Sequence, residues 1–324
     1  MPLNQSTYRP LFFLKNPHLA TITPNRFRSI KGVSYSRKRL TLKDGDFVDL
    51  DFSKVKSNTL VLVLHGLEGN SERAYARGIV KQANLNGWDA CVFNQRGCSG
   101  EANRLITSYH SGKTDDLHEV IQFLISQKTY QRIHLIGFSL GGNITLKYLG
   151  EQSNSLSSII HSAVAVSTPI DLESSSKELA KRINRIYMNR FLKSLRIKTK
   201  QKLEAFPNCG ISLYDLNKCE NFSDFDNLYT APIHGFKNAT DYWRKCSSKQ
   251  FLHDIKIPTL LINALDDPFL DDSCFPTEIA KDSNSFHLII PKHGGHVGFI
   301  DTWPLHKPQY TERIALDFFK NDSV

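Results

Sequence analysis

The chain has 324 residues, of which 40% are hydrophobic and 23% charged, a balance typical of a globular protein with a substantial core. No stretch approaches the roughly 18 apolar residues that a membrane-spanning helix needs. The first residues lack a charged segment followed by a long apolar run, so we expect no signal peptide. The six cysteines form no C-x-x-C pair, which predicts free thiols in a reducing cytoplasm and no zinc site.

The formal net charge of +9 is concentrated in one segment. Between Lys177 and Lys202 the chain carries ten basic residues and one acidic residue, Glu178. Apolar residues recur through the run from Lys177 to Phe206, which predicts an amphipathic helical segment with a cationic face. A solvated helix packed on a core explains this face most simply, and contact with anionic lipid or an anionic substrate is the alternative. We expect no nucleic-acid partner, because no aromatic and basic recognition module accompanies the charge.

The first half of the chain alternates strands and helices. Residues 1–30, interrupted by three prolines, are predicted to be irregular, with a turn or helix start at residues 16–19. A hairpin follows, with strands over 35–42 and 47–52. Alternating strands and helices then predict a parallel sheet with helical crossovers. The strands fall over 59–64, 88–93, 132–136 and 159–167, and the helices over 72–86, 113–127 and 140–151.

The alternation stops near residue 170, and residues 170–250 have a polar, aromatic and helical pattern. The alternation of strands and helices resumes with strands over 258–263 and 286–290 and helices near 275–282 and 309–320. One helical interruption of such an alternation indicates a single α/β domain over residues 1–324 with a helical cap, or lid, inserted at 170–250.

A glycine-flanked serine, Ser139, lies where a predicted strand gives way to a predicted helix. Residues 137–141 read Gly-Phe-Ser-Leu-Gly, the G-x-S-x-G spacing in its required setting. Small residues two positions away let neighbouring backbone approach a sharp turn, and the N-terminal amides of the helix favour a negative charge at the serine. The pattern favours a nucleophile, and a glycine-rich turn of a nucleotide-binding fold is the alternative.

A serine nucleophile needs a histidine to accept its proton and a carboxylate to orient that histidine, and on such a sheet the acid precedes the histidine in the chain. Asp266 and Asp267 follow one predicted strand, and His293 and His296 follow the next. We favour Asp267, because a proline directly after it holds it rigidly. We favour His296, because two preceding glycines let its loop fold over the serine. Asp266 and His293 remain the alternatives.

The charge that develops on the substrate oxygen needs two backbone N–H donors. We expect one from Leu140, directly after the serine, and the other from Leu67, in the loop after the strand over 59–64. His65 in that loop is expected to hold it by hydrogen bonding. His293 and His296 have no evident third ligand, so we expect no metal site.

Seven different short motifs follow one another along the chain, at residues 16–19, 65–69, 94–100, 109–112, 137–143, 264–269 and 293–299. Together they resemble the YheT-like branch of the α/β-hydrolases, which also contains eukaryotic membrane-associated lipid hydrolases. The resemblance implies an α/β-hydrolase fold with helices on both faces of the sheet, no cofactor, ester hydrolysis, and triad roles for Ser139, Asp267 and His296. The family's H-x-x-x-x-D motif, proposed for acyl transfer, runs here from His110 to Asp115. We assign it a structural role, because it is predicted to lie on a loop entering a helix.

The sequence thus predicts a serine hydrolase that cleaves short-chain or acylglycerol-type carboxylic esters through an acyl-enzyme. One alternative is an acyltransferase of the same fold, in which an alcohol intercepts the acyl-enzyme. The other is a non-catalytic module that binds a membrane surface. The expected partner is a small acyl ester or lipid, with peripheral contact to anionic membrane through the basic segment 177–202, and the expected location is the cytoplasm.

Overall fold

The computed structural model describes residues 3–321, and a single sheet of nine strands organises this part of the chain. Its strands are β1 (Leu3–Asn4), β2 (Ser36–Thr41), β3 (Phe47–Ser53), β4 (Thr59–Leu64), β5 (Asp89–Asn94), β6 (Arg132–Phe138), β7 (Ile160–Val166), β8 (Thr259–Ile262) and β9 (Phe286–Ile289). Their order in the sheet is β1-β9-β8-β7-β6-β4-β5-β3-β2. Only β3 runs against its neighbours, β2 and β5, so the sheet is mostly parallel, as predicted.

Helices cover both faces of the sheet. They are α1 (Pro17–Phe27), α2 (Ala74–Leu85), α3 (Thr114–Ser126), α4 (Leu140–Glu151), α5 (Leu172–Ala180), α6 (Arg185–Ala205), α7 (Leu213–Lys218), α8 (Phe222–Phe225), α9 (Ala231–Ile233), α10 (Ala239–Cys246), α11 (Thr277–Asp282) and α12 (Tyr310–Asn321). Alternate side chains of β4 enter two apolar clusters, one with α3 and α4 and the other with α2 and α12. Because both faces of β4 are covered, its whole sequence is apolar apart from the first residue.

The edge strand β2 is mostly exposed and carries arginines that pair with buried carboxylates on β3. Arg37 binds Asp51 through two hydrogen bonds of 2.7 and 2.8 Å, and Arg39 binds Asp49 through two of 2.9 Å. The charged side chains also make this edge a poor template for further strand pairing.

Helices α5 to α10 lie between β7 and β8 in the chain, within the segment 170–250. Helices α5 to α9 share an apolar cluster of their own, to which the loop after β8 contributes Phe269, and α10 packs with Leu172 of α5 in a second cluster. Hydrogen bonds join them to the loop before α3, where the Tyr229 hydroxyl donates to the Ile106 carbonyl at 2.7 Å. We refer to residues 170–250 as the cap.

The prediction of an irregular segment over residues 1–30 was wrong for α1. The Asn16 side chain accepts hydrogen bonds from the N–H groups of His18 and Leu19, and Pro17 occupies the first helical position. These features start a helix at the predicted place. The helix continues through Pro24 to Phe27, although an internal proline normally ends one.

The prediction of one amphipathic run from Lys177 to Phe206 was also wrong in part. Lys181 adopts an extended conformation that ends α5, and a short 3-10 turn over Arg182–Asn184 precedes α6. The break turns Ile183 and Ile186 outward, so that they are 68% and 65% exposed, whereas Leu192 is buried.

No helix within residues 3–321 is long and apolar enough to cross a membrane. All six cysteines, which lie in the same range, are free thiols, as predicted.

Candidate active site

Ser139 occupies a sharp turn between β6 and α4. Its backbone has φ 52° and ψ −119°, a conformation that costs a non-glycine residue on the order of 1–3 kcal/mol. The glycines on either side are required by close packing. A Cβ on Gly137 would lie 2.3 Å from the Gly141 carbonyl oxygen, and one on Gly141 would lie 2.4 Å from the Leu64 carbonyl oxygen. The turn therefore holds the serine side chain at the carboxyl end of the sheet.

Ser139, His296 and Asp267 form a continuous chain of hydrogen bonds. The Ser139 Oγ lies 2.9 Å from His296 Nε2, and His296 Nδ1 lies 2.9 Å from Asp267 Oδ2 and 3.1 Å from Oδ1. Because an ionised carboxylate only accepts hydrogen bonds, Nδ1 carries the ring proton and Nε2 is left to accept from the serine hydroxyl. Asp267 is 3% exposed and His296 is 8% exposed, so little water competes for these contacts.

The His296 loop is fixed on several sides. Gly294, Gly295 and Val297 all have positive φ values, of 156°, 54° and 56°, which is the tight folding that the two glycines predict. The His296 N–H donates to Thr21 Oγ1 at 2.9 Å. The Phe269 ring packs on the imidazole, with ring centres 4.1 Å apart.

The alternative pair, Asp266 and His293, lies beside this chain and not within it. His293 Nδ1 is 3.2 Å from Asp266 Oδ2, and the Gly295 N–H donates to Asp266 Oδ1 at 2.9 Å. These contacts tie the loop after β8 to the loop after β9. They fall three residues and one residue before His296, so they position its loop.

The loop after β4 approaches Ser139 closely. The Gln95 N–H donates to His65 Nε2 at 3.1 Å, which leaves the proton on Nδ1 to donate to the Gly66 carbonyl at 2.8 Å. Burial lowers the pKa of His65 to about 4. A neutral His65 thus holds the loop, in the role predicted for it.

The two predicted oxyanion donors lie on the same cavity as Ser139. Leu67 and Leu140 both line that cavity. In the part of the chain that the structure describes, neither of their N–H groups donates to another residue. Both amides are therefore free to bind a substrate oxygen.

Glu68, next to Leu67, ties this loop to the cap. Its carboxylate accepts from Lys198 Nζ at 2.8 Å, from the Tyr109 hydroxyl at 2.7 Å and from the Ser194 hydroxyl. Burial opposes its ionisation, but Lys198 and the hydroxyl donors outweigh burial and hold the pKa of Glu68 below its ordinary value. The sequence does not predict this contact, because nothing in its spacing joins residue 68 to residue 198.

Two spaces open at the Ser139–His296 pair. The larger, about 380 Å³, runs between the sheet and the cap, and the smaller, about 130 Å³, is lined on one side by α1 and α6. Six residues line both spaces: Leu67, Glu68, Ser139, Phe191, Phe269 and His296. Apolar side chains dominate the larger space, including Leu172, Leu179 and Phe222.

The H-x-x-x-x-D motif lies on the loop entering α3, as predicted. His110 Nδ1 accepts from the Gly112 N–H at 3.1 Å, and Asp115 in the first helical turn pairs with Lys113 at 2.6 Å. Burial lowers the pKa of His110 well below its usual range. No hydrogen bond or ion pair joins His110 to Asp115 within the described chain.

A buried carboxylate of the cap, Asp226, also lines the larger space, where the sequence offered no signal. The Asp226 carboxylate accepts from Trp243 Nε1 at 2.8 Å and from the Thr230 hydroxyl at 2.6 Å. Burial raises the pKa of Asp226 to about 6.

No group of three or more side chains able to hold a metal ion occurs within residues 3–321.

Comparison with known proteins identifies a family that matches this chain. A family model described as the alpha/beta hydrolase fold matches residues 59–302. Over 322 residues the chain is 38% identical to YheT of Escherichia coli strain K12, whose name calls it a candidate esterase, with 97% of this chain and 93% of that protein covered. The chain therefore belongs to the α/β-hydrolase fold family, in its YheT-like branch.

Further similarity extends to ester-cleaving proteins. The α/β-hydrolase chain is 32% identical over 248 residues to the monoacylglycerol lipase of Saccharomyces cerevisiae, covering 74% of this chain and 54% of that protein. The esterase Pf2001 of Pyrococcus furiosus superimposes with a TM-score of 0.59 at 17% identity, covering 92% and 96% of the two chains. The similarity to the yeast lipase supports a hydrolase, and the structural likeness to Pf2001 shows the fold alone.

Proposed function

We propose that this α/β-hydrolase cleaves carboxylic esters through Ser139, His296 and Asp267. The observation that carries the proposal is the hydrogen-bonded chain from Ser139 Oγ through both nitrogens of His296 to a buried carboxylate. A serine hydroxyl is a weak nucleophile unless a neighbouring base removes its proton. In this arrangement His296 Nε2 already accepts a hydrogen bond from the Ser139 hydroxyl before substrate binds.

The proposed reaction has two halves. Ser139 Oγ attacks the acyl carbonyl while His296 Nε2 takes its proton, and the N–H groups of Leu67 and Leu140 stabilise the oxyanion. His296 then gives the proton to the leaving alcohol, so that the acyl group remains on Ser139. Water, deprotonated by His296, releases the acid and restores the serine. Asp267 holds the imidazole in the required tautomer and stabilises the imidazolium that forms.

We assign the acyl chain to the larger space. Its volume of about 380 Å³ and its apolar lining suit a hydrocarbon chain, whose burial supplies binding energy of about 0.8 kcal/mol per methylene. The similarity to a monoacylglycerol lipase supports an acylglycerol-type or short-chain ester.

The test is hydrolysis of p-nitrophenyl esters from acetate to decanoate by the parent protein and by Ser139→Ala. We expect kcat/KM to rise with chain length and then to level off when the larger space is filled, and the variant to lose activity by at least about 10³-fold. Equal activity in the two proteins would refute the proposal. Added alcohol that diverts acyl groups into new ester would identify an acyltransferase.

We also propose peripheral contact with anionic membrane, at a narrower surface than the whole basic segment. Ile183 and Ile186 are exposed beside Arg182 and Arg185, and in the described chain neither arginine has a carboxylate partner. Exposed apolar side chains flanked by free cations suit an anionic lipid surface. Sedimentation with phosphatidylserine vesicles should exceed that with phosphatidylcholine vesicles, and Ile186→Asp should abolish the difference. Equal sedimentation with the two lipids would refute the contact.

A further inference from the structure

Two arginines line the smaller space beside the proposed nucleophile. Arg73, at the start of α2, and Arg190, on α6, both border the 130 Å³ cleft that Ser139 and His296 also line. They come from different layers of the protein, since α2 packs on the sheet and α6 belongs to the cap. The cleft is therefore completed by cations on two sides only when the cap is in place.

Within residues 3–321, no carboxylate neutralises either guanidinium group. The Arg73 side chain donates one hydrogen bond, to the Glu68 carbonyl at 2.6 Å. The Arg190 side chain makes no hydrogen bond or ion pair with any residue of that range. Burial, and after it the neighbouring charge of Arg73, lowers the pKa of Arg190, so the two like charges act on each other.

The carboxylate that borders the same cleft is already occupied. Glu68 shares its two oxygens among Lys198, Tyr109 and Ser194. Two other basic side chains of α6 are satisfied, since Lys198 Nζ donates to Glu68 and Lys202 Nζ donates to the carbonyls of Asn103 and Leu105. Within residues 3–321, Arg190 is the basic residue of α6 that both lines the cleft beside Ser139 and has its side-chain donors free.

We infer that Arg73 and Arg190 bind an anionic group on the alcohol side of the scissile ester, such as a phosphate or a carboxylate. Guanidinium groups present several donors in a planar fork that matches either anion. The inference rests on the proposed function for the position of the ester and adds the chemical class of the substrate to it.

The volumes indicate which part of the substrate meets the arginines. The smaller space has about a third of the volume of the larger one and is lined by Asn25, Arg73 and Arg190 as well as by apolar side chains. A hydrocarbon chain is accommodated by the larger, apolar space. The compact, charged alcohol portion then occupies the cleft, where the free donors offset the loss of its hydration.

Direct binding tests the subsite without relying on turnover. Isothermal titration of the parent protein would use glycerol 3-phosphate, glycerate and glycerol as phosphate, carboxylate and neutral probes. We expect the anions to bind and glycerol not to bind. Arg190→Gln should weaken anion binding by about tenfold or more, as expected for the loss of a hydrogen bond between charged groups, and Arg190→Lys should recover part of the loss.

The matched control is Lys193→Gln. It removes the same charge from the same helix at an exposed residue that lines neither space, so anion binding should stay within about twofold of the parent. Equal weakening by the two variants would show a general surface-charge effect and overturn the inference, as would absence of anion binding by the parent at about 10 mM.

Hydrolysis provides the second arm, with 1-butyrylglycerol and its 3-phosphate as substrates of equal acyl length. The kcat/KM of the parent should be higher for the phosphate ester than for the neutral ester. Arg190→Gln should remove this preference by raising KM for the phosphate ester, and its kcat/KM for the neutral ester should stay within about threefold of the parent value. Long-chain phosphatidate in detergent micelles distinguishes a lipid headgroup from a soluble phosphate as the source of the anion. Anion binding without any ester hydrolysis would refute the proposed function alone, whereas hydrolysis without anion preference would refute the subsite alone.

Discussion

Replacing Asp267 by asparagine should disable the proposed base without changing the shape of the site. Asp267 Oδ1 accepts the Phe269 N–H at 2.9 Å, and Oδ2 faces His296 Nδ1 at 2.9 Å. The Phe269 N–H fixes the amide oxygen of Asp267→Asn at the Oδ1 position, so the amide NH₂ group faces the histidine. His296 Nδ1 must then accept, and its proton moves to Nε2, where it blocks the serine.

The contacts of Asp267 set the size of the expected fall in kcat. To recover the working tautomer, the amide must flip and place its NH₂ against the Phe269 N–H, which costs about 1–3 kcal/mol for an unsatisfied buried donor. Even then a neutral oxygen replaces the carboxylate beside the imidazolium, a loss of about 1.5–3 kcal/mol for a hydrogen bond to a charged group. Together these terms predict a fall in kcat of roughly 10²- to 10⁴-fold at 1.36 kcal/mol per tenfold.

The assay is steady-state hydrolysis of p-nitrophenyl butyrate by the parent, Asp267→Asn and Asp266→Asn. Asp266 holds His293 and the Gly295 N–H, so its variant weakens about one hydrogen bond and should lose less than about tenfold. Near-ultraviolet circular dichroism would establish that both variants are folded. A folded Asp267→Asn protein with kcat within tenfold of the parent, or a larger loss in Asp266→Asn, would refute the reasoning.

Two further predictions concern stability. Gly141→Ala would place a methyl group 2.4 Å from the Leu64 carbonyl oxygen, so urea denaturation should show a free energy of unfolding lower by about 3 kcal/mol. Gly210→Ala, at φ 78° with open space around it, should cost about 1 kcal/mol, and equal losses would contradict the packing argument. Burial lowers the pKa values of His65 and His134 to about 4. Between about pH 6.5 and 4 the unfolded chain therefore binds protons that the folded chain does not, and stability falls as pH falls. His134→Phe should make that fall shallower by up to about 1 kcal/mol per pH unit, and an unchanged slope would contradict the assignment.

The sequence predicted the sheet because local pattern and packing agree there. Apolar runs such as that of β4 are covered on both faces, so their boundaries shifted by only one or two residues. The edge strand β1 was not foreseen, because a two-residue strand has no periodicity and is defined by its pairing with β9. The break at Lys181 was also missed, because the Asn184 side chain, which bonds the carbonyls of Glu178 and Pro268, anchors it through tertiary contact.

The site, too, could be predicted from the sequence only in part. Ser139, Asp267 and His296 were predicted because each follows a strand, and the carboxyl ends of parallel strands meet at one edge of the sheet. The contact of Glu68 with Lys198 and the pairing of Arg73 with Arg190 across one cleft depend on where the cap rests. No spacing of residues in the sequence indicates that position, so these features become visible only in the folded structure.

The most direct test of the central claim is the mass of the protein after reaction with a fluorophosphonate, followed by peptide mapping. Ser139 as an activated nucleophile predicts a single adduct, located on the peptide that carries Ser139, and no adduct in Ser139→Ala or in protein unfolded beforehand. No adduct in the folded parent, or an adduct on another residue that persists in Ser139→Ala, would contradict the account.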